Sequence, residues 1–123
     1  MRLLSFLFAV TLAAFSPNLQ AQKRPVLSDD TEIVARAKEY LYQSAASGLI
    51  LEKVLETGVK GEFIFDITLY KNGNVLTIYA PYEIPDEMIR PQNKLKDILM
   101  VCEFPFKLPK NKRVKFRHNF KFS

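Results

Sequence analysis

The stretch GEFIFDITLYKNGNVLTIY (Gly61–Tyr79) decides the fold of this chain, because it contains two candidate strands and the turn between them. In its first half, apolar residues occupy every second position: Phe63, Phe65, Ile67 and Leu69. This period-two pattern is typical of a strand with one buried and one exposed face. Asn72-Gly73 follows, and Asn-Gly is the strongest short hairpin signal because both turn residues tolerate a positive φ. The stretch therefore predicts a β-hairpin whose second strand is Val75–Tyr79.

A further strand is predicted near the C-terminal end of the sequence. Aromatic, apolar and basic residues alternate there: Val114, Phe116, His118, Phe120 and Phe122 are separated by Lys115, Arg117, Asn119 and Lys121. The alternation predicts one buried face and one face in contact with water. It therefore explains the phenylalanines of this segment as core residues.

Two helical segments precede the hairpin. Ser28–Glu32 has the composition of a helix start, in which Asp29 accepts a hydrogen bond from the first turn and Glu32 lies at capping-box spacing. The residues that follow at helical spacing form one apolar stripe: Ile33, Ala37, Tyr40, Leu41 and Ser44. Ser47-Gly48 predicts the end of this helix. The next segment, Leu49–Glu56, is compatible with a helix or a strand, because its periodicity favours neither.

A proline-containing crossing and a helix connect the hairpin to the last strand. Ala80–Pro91 holds three prolines and predicts an irregular segment, and Pro91 suits the first turn of a helix. The buried face of that helix is predicted to contain Leu95, Ile98, Leu99 and Cys102. Pro105 and Pro109 end the helix and keep the following stretch extended.

The order of these elements predicts an α+β fold. A hairpin, a crossing helix and a further strand form a small antiparallel three-stranded sheet (the hairpin plus the C-terminal strand), with helices packed on one face. Residues 31–123 are predicted to form a single domain, because a chain of 123 residues has room for one small core.

The N-terminal residues predict a signal peptide over residues 1–21. Arg2 precedes an apolar run, Leu3–Phe15, which is shorter than the approximately 20 residues that a membrane-spanning helix needs. A basic start, a short apolar core and a polar stretch that ends at Ala21 are typical of a secretory signal. An uncleaved anchor is the alternative. Residues 22–30 are predicted to be a flexible lead, and the protein is expected to be exported.

The basic charge is concentrated at one end of the sequence. Residues 104–123 contain seven Lys or Arg and no acidic residue, and the remainder carries a net charge of −2, for a total of +5. A basic segment can indicate a nucleic-acid partner. An exported protein rarely meets nucleic acid, so an anionic membrane surface or an acidic protein is the better expectation.

The sequence contains no pattern of a catalytic or metal site. His118 is the only histidine and falls on the predicted aromatic face, where a packed or rim position is expected. A metal site needs several converging ligands, and nucleophilic catalysis needs a nucleophile beside an oriented base. Ser44, Ser47 and Cys102 have no such partner pattern, and Cys102 is expected to be a core residue. We therefore expect no enzyme activity, no metal and no cofactor, and we interpret Glu62 and Asp66 as exposed solubility residues.

Roughly half of the sequence, residues 61–122, resembles a known periplasmic domain. The stretch GEFIFDITLYKNGNV (Gly61–Val75) combines a glycine, an alternating strand and an Asn-Gly turn. After the crossing and the helix, FPFKLPKNKRVKF (Phe104–Phe116) combines aromatic residues, prolines, a basic turn and a final strand. Both segments, and their spacing, are similar to the C-terminal domain of the TonB family, the energy-transducing proteins of Gram-negative bacteria. The transmembrane helix and the long proline-rich spacer of that family have no counterpart here.

The resemblance implies a function in peptide capture by strand addition. In that family the last strand lies at a sheet edge and pairs with an extended segment of an outer-membrane receptor, a mode that needs free backbone donors and acceptors. Carried over to this sequence, the partner-binding residues are Val114, Lys115, Phe116, Arg117, His118 and Asn119. Lys115 and Arg117 are expected to favour an acidic partner. The resemblance places the protein in the periplasm, with a segment of an envelope or outer-membrane protein as its partner and transport as the process.

Two other functions stay open at this point. In one, the chain is a structural or assembly component of an envelope complex, and the same strand edge pairs with a second copy or with another subunit. In the other, the basic C-terminal strand binds an anionic surface such as a membrane, and binding weakens steeply as salt is added.

Overall fold

The computed structural model describes residues 24–123, so the predicted signal peptide and the first two residues of the predicted lead lie outside the described residues. Within this range the elements are α1 (Asp30–Ser47), α2 (Leu49–Thr57), β1 (Gly61–Tyr70), β2 (Asn74–Tyr79), α3 (Ile89–Met100) and β3 (Val114–Phe122). Short 3-10 turns occupy Lys71–Gly73 and Asp86–Met88. No helix between residues 24 and 123 has the length and apolarity that crossing a membrane requires.

The three strands form one antiparallel sheet with the order β2-β1-β3. β1 pairs with β3 over nine residue pairs, from Gly61 opposite Phe122 to Leu69 opposite Val114. Its pairing with β2 shifts register between Thr68 and Leu69. The predicted α+β fold, with a hairpin and a C-terminal strand in one sheet, is confirmed. β1 is the central strand, and β2 and β3 are the two edges.

The turn between β1 and β2 has the predicted geometry. Asn72 and Gly73 have φ values of 65° and 68°, in the left-handed region that favours glycine and asparagine. Gly73 also lies against the segment that follows α3, since a Cβ added there would be 2.1 Å from the carbonyl oxygen of Phe106. The Arg24 guanidinium donates to the carbonyl oxygens of Asn72 (3.0 Å) and Phe104 (2.8 Å). The hairpin turn is therefore held against the chain that leads into β3.

The core lies between the inner face of the sheet and the helices. Phe65 of β1 is fully buried, and its ring centroid is 6.1 Å from that of Phe120 on β3. Tyr40 of α1 packs against Phe104, with ring centroids 4.9 Å apart. The predicted inner faces of β1, α1 and α3 are confirmed, because their apolar residues are buried, or partly buried in the case of Tyr40. Burial of apolar surface, at about 25 cal/mol per Å², is the main stabilising contribution.

Side-chain hydrogen bonds cap the N-terminal ends of α1 and α2. Asp29 caps α1, and its carboxylate accepts a hydrogen bond from the Glu32 amide at 2.9 Å, as predicted. α1 ends at Gly48, where the buried Ser44 hydroxyl accepts a hydrogen bond from the Ile50 amide at 3.1 Å. This bond satisfies an amide of the first turn of α2, which would otherwise be without a partner. The segment Leu49–Glu56, for which the sequence left helix and strand open, is therefore a helix.

The predicted flexible lead is partly packed against the domain. The Leu27 amide donates to the Lys107 carbonyl oxygen at 2.9 Å, and the Lys107 amide donates to the Pro25 carbonyl oxygen at 2.8 Å. The Leu27 side chain is buried, and α1 begins at Asp30. Residues 24–30 are therefore not the flexible lead that the sequence predicted. The extended segment before β3 provides hydrogen-bond partners for their backbone and an apolar contact for Leu27.

Cys102 has the predicted core position. Its thiol is buried after the end of α3, and the Sγ atom lies 3.5 Å from the carbonyl oxygen of Ile98. Burial raises the pKa of the Cys102 thiol to about 11. The thiol is therefore neutral at physiological pH, and the thiolate, which is the reactive form, is scarce.

Candidate functional site

The outer edge of β3 is the candidate site. In an antiparallel pair, the backbone groups of alternate residues point to the neighbouring strand, and those of the residues between them point away from it. Within residues 24–123, β3 pairs only with β1, and no hydrogen bond from a loop, helix or side chain reaches its backbone. Alternate amide and carbonyl groups of β3 are therefore available to an added strand.

The six predicted binding residues lie on this edge strand, but their side chains point to different faces of the sheet. Val114 and Phe116 are buried in the core. Lys115, Arg117 and Asn119 lie on the exposed face, and the last of these donates from Nδ2 to the Glu62 carboxylate at 2.8 Å. Because the side chains diverge, the feature common to all six is the backbone edge.

A groove runs between α1 and the free edge of β3. We call it the α1–β3 groove; it is lined by Tyr42, Ala45, Ala46, His118, Asn119, Phe120 and Lys121. Tyr42 is 71% exposed, although it is a large aromatic residue. The prediction from sequence missed the helical wall of this groove. The available signal was the exposed Tyr42, which lies beside the buried stripe of α1 and at helical spacing from Ala45 and Ala46.

An apolar depression continues the groove toward the end of β3. The two share Ala45 and Lys121, and the depression is lined in addition by Leu51, Val54, Leu55, Gly58, Val59, Lys60, Phe122 and Ser123. Leu55 of α2 is 72% exposed within it. The groove and the depression therefore place apolar and partly apolar surface beside the C-terminal half of β3. Side chains of a strand added to the β3 edge would lie on this surface.

His118 is a packed residue at the rim of the groove. Its ring meets the Phe120 ring edge-on, with centroids 4.7 Å apart. Burial, and to a smaller extent the charge of Lys38 on α1, lower the pKa of His118 below its ordinary value of 6.5. The imidazole is therefore neutral at physiological pH. This agrees with the predicted packed or rim position.

Arg117 does not have the unpaired charge that the sequence led us to expect. Its Nε donates to Asp66 Oδ1 at 2.8 Å, and its Nη2 donates to Asp66 Oδ2 at 3.2 Å. A third hydrogen bond, of 2.8 Å, joins Nη1 to the Tyr82 hydroxyl. Arg117 is therefore committed to β1 and to the crossing segment. Its predicted role in selecting an acidic partner stays a prediction, although Asp66 compensates its charge in this structure.

The two carboxylates of β1 are cross-strand partners of β3. Asp66 lies opposite Arg117 and its side chain is only 12% exposed, while Glu62 accepts the hydrogen bond from Asn119. The interpretation of Asp66 as an exposed solubility residue is therefore wrong, whereas Glu62 is exposed as predicted. Such pairs stabilise neighbouring strands. They also leave Lys115 and Lys121 as the β3 cations that have no carboxylate within 4 Å in residues 24–123.

The pair of Asp66 and Arg117 predicts a pH-dependent stability. The hydrogen bonds from Arg117, and next to them its charge, lower the pKa of Asp66 below the ordinary value of 3.8. A carboxylate with a depressed folded-state pKa stabilises the fold above its unfolded-state pKa, and this contribution is lost as the pH falls through the folded-state value. We expect Asp66→Asn to lower the urea midpoint at pH 6 and to have a smaller effect at pH 3.

A double-mutant cycle is the control for this prediction. In an Arg117→Gln background, Asp66→Asn should change the urea midpoint by a similar amount at both pH values, because the partner that depresses the pKa is absent. The opposite outcome is an effect of Asp66→Asn that depends on pH equally in the unsubstituted protein and in the Arg117→Gln variant. In that case the Asp66–Arg117 pair does not cause the pH dependence.

No group of three or more His, Cys, Asp or Glu side chains in the described part of the chain is arranged to hold a metal ion. The comparisons with known proteins do not identify the chain. No protein-family model matches it, and neither the curated proteins nor the solved structures contain a significant match.

Proposed function

We propose that this protein is an exported, periplasmic binding module that captures an extended segment of an envelope protein by strand addition to β3, as the resemblance to the TonB C-terminal domain suggests. The single observation that carries the proposal is the free outer edge of β3 beside the α1–β3 groove. An added strand would gain main-chain hydrogen bonds from the edge. Side chains on one of its faces would contact the groove, and this contact would give specificity.

The opposite edge of the sheet supports the choice of β3. β2 has six residues, and its first residue, Asn74, forms a bridge with Glu103. The Gly73 carbonyl oxygen just before β2 accepts a hydrogen bond from the Phe104 amide at 3.3 Å. β3 has nine residues and none of these contacts. It is therefore the longer and more accessible edge for a partner.

The charges around the groove support an acidic partner segment. Lys38 of α1 lies close enough to His118 to lower the pKa of that residue, and Lys121 lines the groove directly. Lys115 lies further along the same strand. None of the three has a carboxylate within 4 Å among residues 24–123. An extended segment with apolar side chains toward the groove and acidic side chains beside these lysines would fit.

The same charges argue against self-assembly through this edge. β3 contains three cations, Lys115, Arg117 and Lys121, and no acidic residue. Pairing of two β3 strands would bring like charges together across the interface, and such pairs are destabilising. We therefore favour capture of another protein over assembly of identical copies.

Site-specific photocrosslinking tests the proposal with a matched pair of tyrosines. Tyr42 lies in the α1–β3 groove and is 71% exposed, whereas Tyr79 lies on the other edge strand and is 63% exposed. Each is replaced in turn by p-benzoylphenylalanine, and the protein is irradiated in envelope extract. We expect a distinct crosslinked protein from position 42 and none from position 79. Equal crosslinking from both positions would contradict the assignment of the edge.

Hydrogen exchange then distinguishes strand addition from contact between side chains alone. The crosslinked segment, identified by mass spectrometry and synthesised as a peptide, should protect every second amide of β3 from exchange. Strand addition requires this period-two pattern because only alternate amides point outward. Binding of the peptide without added protection in β3 would refute the proposed mode.

A further inference from the structure

A basic cleft opens where β1 and β3 separate. Their last pair is Leu69 and Val114, so one step further along the same register Tyr70 lies opposite Arg113. The cleft has a volume of about 270 Å³ and is lined by Tyr70, Lys71, Asn111, Lys112 and Arg113. It lies at the opposite end of β3 from the α1–β3 groove and shares no residue with it.

The cleft gathers positive charge without a compensating carboxylate in its walls. Three of its five lining residues are cationic, and none is acidic. Lys112 forms an ion pair with Asp30 at the start of α1. Lys71 and Arg113 have no carboxylate within 4 Å in the described residues. Cations held close together repel one another, and a bound anion removes this repulsion.

The walls of the cleft are fixed by backbone geometry. Asn72, which follows Lys71, and Asn111 both have left-handed conformations, with φ values of 65° and 68°. The Asn72 carbonyl oxygen is held by Arg24, and the Lys112 amide donates to the Pro109 carbonyl oxygen at 3.1 Å. The backbone that carries these cations is therefore already ordered, and a bound ligand has to order only their side chains.

We propose that this cleft binds a phosphate group. A phosphate carries up to two negative charges and presents several oxygens, so it can meet Lys71 and the planar fork of the Arg113 guanidinium at once. The Tyr70 hydroxyl and the Asn111 amide add neutral donors. A single carboxylate has one charge and two oxygens, and would leave part of the positive charge of Lys71 and Arg113 uncompensated.

Phosphate binding in the cleft does not depend on strand addition to β3. It also uses other residues than an anion bound to the exposed face of β3 would use. Arg117 in the middle of β3 is already paired with Asp66, whereas Lys71 and Arg113 are available. The phosphate could belong to a lipid headgroup or be free in solution. In a lipid, the matching group is a phosphomonoester headgroup, as in phosphatidic acid, which also carries up to two negative charges, so the test treats the two sources separately.

An NMR titration with inorganic phosphate tests the site. We expect saturable shifts of the amides of Lys71 and of residues 111–113, and little change elsewhere. A titration with chloride at equal ionic strength separates this effect from general screening. Shifts that do not saturate, or that are spread over all exposed basic residues, would overturn the proposal.

Two charge-matched double variants control the titration. Lys71→Gln with Arg113→Gln removes two cations from the cleft, and we expect affinity for phosphate to fall about tenfold, a difference of about 1.4 kcal/mol. Lys94→Gln with Arg90→Gln removes the same charge from exposed positions outside the cleft and should leave the affinity unchanged. An equal loss in both double variants would show that only net charge matters, and the site would be rejected.

Vesicle flotation identifies the source of the phosphate. Vesicles of phosphatidylcholine are compared with vesicles that also contain phosphatidic acid, using the protein and the same two double variants. In one outcome, the unsubstituted protein floats with the anionic vesicles while the variant with Lys71→Gln and Arg113→Gln does not. This result, with flotation retained in the control variant, supports the site and identifies a lipid headgroup as its ligand. Saturable phosphate binding without flotation supports it with free phosphate. Absence of both would overturn it.

Discussion

Phe65→Ala is expected to lower the free energy of unfolding by about 3–5 kcal/mol, the usual cost of removing a fully buried phenylalanine. Phe65 is completely buried at the centre of β1 and packs against Phe120 of the neighbouring strand. Its loss leaves a cavity between the sheet and the helices. Domains of this size have a total stability of about 5–15 kcal/mol, so the variant should be close to unfolding. Urea denaturation followed by circular dichroism measures the change.

Tyr79→Ala is the control for this substitution. It also removes an aromatic ring from the sheet, but Tyr79 is 63% exposed on β2. We expect a change of about 0.5 kcal/mol or less, as for other exposed positions. If the two variants were equally stable, the assignment of Phe65 to the core would be wrong.

Gly73→Ala is expected to destabilise the protein by about 3 kcal/mol, from two costs that add. A non-glycine residue in the left-handed region costs about 1–2 kcal/mol, and Gly73 has a φ of 68°. The added Cβ would also lie 2.1 Å from the carbonyl oxygen of Phe106. A backbone atom cannot rotate away as a side chain can, so the segment before β3 must shift, at about 1–3 kcal/mol. The shift in urea midpoint measures the sum.

Gly58→Ala separates the two costs. Gly58 has a similar φ of 72°, but an added Cβ would meet no atom within 4 Å. The variant should therefore show only the conformational cost, about 1–2 kcal/mol. A loss as large as that of Gly73→Ala would mean that the contact with Phe106 contributes nothing.

The sheet could be predicted from the sequence because its signals are local. Alternation along β1 and β3 identifies the buried faces, and Asn72-Gly73 identifies the turn without knowledge of the rest of the chain. The N-terminal cap of α1 is equally local, since Asp29 and the Glu32 amide it binds are three residues apart. The structure confirms these predictions.

The remaining features depend on contacts between distant residues. The segment that forms α2 had no decisive periodicity, and the Ser44 hydroxyl that caps it acts only after α1 has formed. The partners of Arg117 are 51 and 35 residues away in the chain, so no local pattern reveals that its charge is committed. The groove arises because Tyr42 lies beside β3, and this placement follows from tertiary packing alone.

The central position of β1 has a consequence for the order of folding. Its pairing with β2 is local and joins residues 4 to 13 positions apart, whereas its pairing with β3 joins Asp66 to Arg117 across 51 residues. Hairpins form in about 1–10 μs, and non-local pairs form more slowly because a long loop must close first. An intermediate with the hairpin alone would expose β1 as its edge and leave the phenylalanines uncovered. The edge offered by β3 exists only once β3 has paired with β1.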